Sequence, residues 1–90
     1  MHEFELSEKL RRILKKLSKK DKTRLEITLK KMDEIRNSEE IEHYKNLSYD
    51  LKEFKRVHVD SHFVLIFKFD KKTWKIRFED LQHHDTIYKR

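Results

Sequence analysis

The stretch RVHVDSHFVLIFKF, residues 56–69, decides the fold. Val57 and Val59 alternate with Arg56 and His58, and further on Phe63, Leu65, Phe67 and Phe69 recur at every second position, the period of a β-strand with two unlike faces. Between the runs lie Asp60, Ser61 and His62, and Asp tolerates turn geometry better than most residues. The stretch therefore reads as a hairpin. Its register matters, because a slip of one residue sends every side chain to the other face. A two-residue loop at Asp60-Ser61 pairs Val59 with His62 and sets His58 beside Phe63, mixing polar and aromatic groups. A three-residue loop (Asp60, Ser61, His62) pairs Val59 with Phe63 and His58 with Val64. It gathers Val57, Val59, Phe63, Leu65 and Phe67 on one face and Arg56, His58, Val64, Ile66 and Lys68 on the other. The cleaner core selects the second register.

Working outward, Trp74, Ile76 and Phe78 alternate with Lys75, Arg77 and Glu79, giving a third strand after a turn at Asp70-Lys71-Lys72. Arg77 has the parity opposite to the apolar residues, so it is expected beside Arg56 and His58. Towards the N-terminus, Leu6, Leu10, Ile13, Leu14 and Leu17 recur at helical spacing, with Ser7 as N-cap and Glu8 favoured in the first turn. Asp21 caps a second helix with the stripe Leu25, Leu29, Met32 and Ile35, which stops at Asn37-Ser38. His2 to Leu6 supply a candidate edge strand. The expected fold class is α+β: two N-terminal helices packed on a small antiparallel sheet, in the order β-α-α-β-β-β. With no repeat, linker or low-complexity tract, residues 1–90 read as one domain.

The 90 residues carry 23 Lys+Arg against 17 Asp+Glu, a formal charge of +6, with no Gly, Pro or Cys. The length excludes two large folds and leaves only a small core, so a partner that adds contacts is expected. Without cysteine there is no disulfide framework, thiolate metal site or thiol nucleophile. The N-terminus lacks an apolar signal segment, and no window approaches the ~18–20 apolar residues of a membrane span. A cytoplasmic protein is expected, with no membrane partner. Charge is unevenly placed: Lys9 to Lys31 hold eleven Lys/Arg against Asp21 and Glu26, whereas Asp33 to Glu42 hold five acids against Arg36. Such a layout suits a polyanion on one side.

Histidines supply the candidate chemistry. His58 on a strand, His62 in the turn and the pair His83-His84 can converge if the third strand ends near the hairpin tip. Neither cysteine nor an HExxH spacing supports a ligand set, so no metal is expected. Imidazole can be half protonated near neutral pH and so act as general base or acid. In metal-free RNA cleavage a base takes the 2′-OH proton, cations stabilise the crowded phosphorane, and an acid protonates the departing 5′ oxygen. His2 and His43 read as ordinary surface residues.

The segment LSYDLKEFKRVHVDSHFVLIFKF, followed by RFEDLQHHDTIYKR, resembles the RelE/ParE toxin superfamily, and within it the YafQ branch. The resemblance is carried by Leu47, Phe54, Lys55-Arg56, His58, the run Val64 to Phe67, and His84 with Tyr88, about half the chain. It implies a RelE-like fold and a type II toxin that binds the ribosomal A site, cleaves mRNA there without a cofactor, and is held inactive by a cognate antitoxin. By the same resemblance His84 is the principal acid/base, His58 its counterpart and Tyr88 the terminal aromatic, while Arg77 stabilises phosphate charge. Phe63 takes the place of a base-stacking aromatic. His62 stands where the branch has Asp, and Lys45 where it has His. Lys45, Lys55 and Arg56 are expected on RNA, and Lys15, Lys16, Lys19 and Lys20 on ribosomal RNA. The ParE branch shares the fold and poisons DNA gyrase instead, and a catalytically inactive RNA-binding relative is a further alternative. The histidines favour the ribonuclease, because gyrase inhibition has no need of imidazoles.

Overall fold

The computed structural model describes residues 1–47 and 53–88, the side chain of Tyr88 excepted. The elements run β1 (Phe4–Leu6), α1 (Glu8–Lys20), α2 (Lys22–Arg36), a 3-10 turn (Ile41–His43), β2 (Phe54–His58), β3 (Phe63–Asp70), β4 (Lys75–His83) and α3 (His84–Tyr88). The sheet order is β1-β4-β3-β2, with β1 parallel to β4 and the other pairs antiparallel. The α+β reading holds, with β1 as the edge strand expected of the first residues.

Both helices start on side chains that satisfy otherwise unpaired backbone N–H groups. Ser7 Oγ accepts from the Leu10 N–H at 3.0 Å and itself donates to the Glu79 carbonyl, tying the start of α1 to the sheet. Asp21 Oδ1 accepts from the Arg24 N–H at 3.0 Å at the start of α2. Leu10 and Ile35 of the helices and Leu65, Phe67, Ile76 and Phe78 of the sheet are fully buried and form the core between the two layers.

Two expectations about single residues need correction. Leu29 is not in the buried stripe of α2 but 46% exposed, and Thr28 is buried in its place. The Thr28 hydroxyl donates to the Arg24 carbonyl at 2.8 Å, so a polar residue enters the interface without an unpaired group. Trp74 does not open β4. It ends the β3–β4 turn in a left-handed conformation (φ 60°), exposed, with its ring stacked on His2 at 5.9 Å and edge-on to Phe69 at 5.7 Å. A chain without glycine must fill such a position with another residue, at a backbone cost of about 1–2 kcal/mol that ring contacts help offset.

The three-residue hairpin register is as read: His58 faces Val64, Val57 faces Leu65, and the Val59 N–H donates to the Phe63 carbonyl at 3.0 Å. Nothing in the chain announces the next feature, a bulge between β3 and β4. Phe67 pairs with Phe78 but Ile66 pairs with Asp80, so Glu79 is the extra residue. Beyond it the alternation of β4 reverses: Leu81 now faces Leu65 in the core, and Gln82 faces Val64 on the far side. Val64 and Ile66 are buried as well, so the face away from the helices is not the open cationic surface the alternation alone suggests.

Candidate active site

Because the bulge shifts the parity of β4, His84 follows Gln82 onto the face that carries His58, and His83 turns to the face of Phe63. The result is two imidazole pairs at one end of the sheet. The rings of His58 and His84 lie 5.2 Å apart, tilted by 34°. His62 stacks on His83 at 6.0 Å, and Phe63 meets His83 edge-on at 5.3 Å. The expected convergence of His58, His62, His83 and His84 is what the fold produces.

The β2–β3 loop is built around Asp60. Its Oδ1 accepts from the backbone N–H of both His62 and Phe63 at 2.8 Å, and its Oδ2 accepts from Arg24 Nε at 3.1 Å. Burial pulls the Asp60 pKa upward, but the His62 N–H, the Arg24 guanidinium and the Phe63 N–H outweigh it and hold the carboxyl below its ordinary 3.8. The loop then grips the chain that follows β4, because the His62 carbonyl accepts from the His84 N–H at 2.6 Å. His83 Nδ1 accepts from the Asp85 N–H at 3.1 Å and caps α3. The Asp85 carboxylate is 3.7 Å from His84 Nδ1. His58 is exposed and the His84 side chain 42% exposed, so both can meet a substrate.

The cations are arranged differently from the expectation. Arg77 shares the face of His58 but stands in register with Lys68 and Phe54, two strands across from His58 and four residues, about 13 Å, along the strand direction from it. It is held there by Glu5 at 3.2 Å and Glu79 at 3.0 Å, which places it away from the imidazoles and neutralises it. Lys55 points to the helix side and donates to the Glu42 and Tyr44 carbonyls at 3.2 and 3.0 Å, tying down the segment before β2. Burial draws its pKa down, with Glu42 opposing and Lys71 reinforcing the shift. Arg56 lies two residues from His58 on the same face, where its Nε donates to the Asn46 carbonyl at 3.2 Å. Lys45 is exposed, and its carbonyl accepts from the Arg56 N–H at 2.9 Å. Phe63 packs on the helix side with the Arg24 guanidinium 4.0 Å above its ring, so one ring face is already covered. Lys15, Lys16, Lys19 and Lys20 are all exposed on α1. The turn joining α1 to α2 reaches the histidine end of the sheet through Arg24 and Asp60, which brings Lys19, Lys20 and Lys22 to that end. The side chain of Tyr88 lies outside the described residues.

Sequence reasoning missed Arg24 and Asp60 as elements of the site. Asp21 and Arg24 sit three apart at a helix start and read as a cap, but nothing in the chain ties position 24 to position 60. Among the described residues, no group of three or more His, Cys, Asp and Glu is placed to hold a metal ion, and no helix is long and apolar enough to cross a membrane.

The chain is 49% identical over 90 residues to a Methanocaldococcus jannaschii protein named "Putative toxin RelE4", covering all of this chain and 94% of that one. It is also 49% identical over 73 residues to an uncharacterized protein of Methanosarcina mazei, covering 81% of this chain and 83% of the relative. Among solved structures, a crystal structure of YafQ from E. coli strain BL21(DE3) superposes with a TM-score of 0.66 at 20% identity, covering 98% of this chain and 99% of the other, a likeness of fold. No family model matches the sequence.

Proposed function

Because the chain belongs to the RelE toxin family, we propose that it is the toxin of a toxin–antitoxin pair and an endoribonuclease that cuts mRNA in the ribosomal A site. The observation that carries this reading is the His58–His84 pair, two imidazoles 5.2 Å apart at an accessible end of a cationic domain. An acid and a base at that spacing can act on one phosphodiester. One imidazole removes the proton of the 2′-OH, whose oxygen attacks phosphorus; the O–P bond to the 5′ oxygen breaks, and the second imidazole protonates that oxygen as it leaves. The products are a 2′,3′-cyclic phosphate and a free 5′-OH. His84 is the principal acid/base and His58 its counterpart. Arg56, on the same face, is the described cation best placed for the phosphorane charge, a role its position supports better than that of Arg77.

The exposed lysines of α1 face ribosomal RNA, where each phosphate contact releases counterions. The antitoxin is a short acidic or amphipathic protein. β1 lies at the edge of the sheet, and Phe4 and Leu29 are exposed beside it, which supports a strand or helix of the antitoxin covering that edge.

The test is a reconstituted translation reaction with defined mRNA, run with and without ribosomes, with the product ends identified chemically. The reading expects cuts within the A-site codon that need ribosomes and leave cyclic phosphate ends. A folded wild type that leaves mRNA intact and instead blocks DNA gyrase supercoiling overturns it.

A further inference from the structure

Arg24 is bonded more extensively than its place in a helix requires. Its backbone N–H and Nη1 go to the two oxygens of Asp21 at 3.0 Å each, its Nε goes to Asp60 Oδ2 at 3.1 Å, and its guanidinium plane covers Phe63 at 4.0 Å. Asp60 in turn orders the loop through the His62 and Phe63 N–H groups, and the His62 carbonyl takes the His84 N–H at 2.6 Å. Every link from α2 to the backbone of His84 is therefore a hydrogen bond to a neighbour in the series. The Arg24 side chain is 25% exposed and that of Asp60 20%, so the pair is screened from solvent enough to hold one geometry.

We propose that Arg24 is a positioning residue for the imidazole pair, acting through Asp60 and the His62 carbonyl to set where His84 stands relative to His58. The proposal rests on the ribonuclease reading for its consequence but not for its geometry. Without the clamp, the loop keeps its strands yet loses the fixed direction of the His62 carbonyl, and the His58–His84 spacing loosens. A misplacement of about 1 Å in an acid/base pair lowers turnover roughly a hundredfold without weakening substrate binding.

Asp60→Asn is the sharper variant, because its remaining carbonyl oxygen still accepts the two loop N–H groups while its amide no longer accepts from Arg24. Arg24→Gln removes the other half. Both are compared with the wild type by two-dimensional NMR, reading the His84 amide and the His58 and His84 ring signals, and by kcat and KM on ribosome-bound mRNA. The expected result is displaced His84 amide and ring signals in each variant, a kcat reduced about ten- to a hundredfold and by more than any rise in KM, and a double variant no worse than either single. Signals that move only around positions 21–24 and 60–63, with His84 unaffected in both variants, overturn the proposal. The NMR readout is independent of catalysis, so a wild type that does not cut RNA defeats the ribonuclease reading while the His84 signals still decide this one.

Discussion

At the residue scale, two small polar side chains hold the architecture in place, and both are open to direct measurement. Ser7 is buried and bonds at once to the Leu10 N–H and the Glu79 carbonyl. Ser7→Ala leaves both partners unpaired and is expected to cost about 1–2 kcal/mol in urea denaturation. Asp60 acts through its charge. Its folded pKa lies below the ordinary 3.8, so its contribution is fully present above pH 3.8 and is lost as the pH falls through the depressed folded value. Thermal melts of the wild type should therefore drop on acidification below pH 3.8 more steeply than those of Asp60→Asn; parallel curves would mean that the carboxylate adds nothing as an anion. Both residues were legible in the chain as cap and turn. Their partners were not, because a cap is a local signal whereas the pairing of position 24 with position 60 exists only after the layers have packed.

At the element scale, the hairpin shows what periodicity can and cannot carry. Alternation from Arg56 to Phe69 fixes the β2–β3 register, because one register alone keeps charged groups off the core face. The same logic fails at Glu79, where a bulge inserts one residue without a glycine or proline to mark it. Straight alternation would put His84 on the face of the helices, and it is the bulge that brings it to His58. Deleting Glu79 removes the extra residue and should restore regular pairing with Asp80 still opposite Ile66, Leu81 still opposite Leu65 and His84 still beside His58, so the variant is expected to stay folded by circular dichroism and to keep the histidine pair. A folded deletion variant in which the histidine pair is lost would contradict the role given to the bulge, which is to absorb one residue of β4. Helix α2 makes a related point. Leu29 reads as core from its spacing, but the inward face is set by which residues meet the sheet. A hydroxyl that can bond back to the carbonyl of Arg24 enters that face without penalty.

At the scale of the whole molecule, the charge layout and the topology meet. Lys19, Lys20 and Lys22 end up at the histidine end because the α1–α2 turn is pinned to the β2–β3 loop, a proximity that composition alone does not reveal. Binding to ribosomes should weaken steeply with added salt, and replacing Lys19 and Lys20 by Gln should lower the log–log salt slope by roughly one for each phosphate that is no longer neutralised. A slope unchanged by that double substitution would remove these lysines from the interface. The whole account stands on His58 and His84 working as an acid and a base. The most direct measurement is the single-turnover rate of A-site mRNA cleavage by wild type, His84→Ala and His58→Ala, each checked for an unchanged melting curve. Rate reductions of about 10²–10⁴-fold are predicted for His84→Ala, with a substantial reduction also for His58→Ala. Cleavage at the wild-type rate by a folded His84→Ala protein would contradict the account.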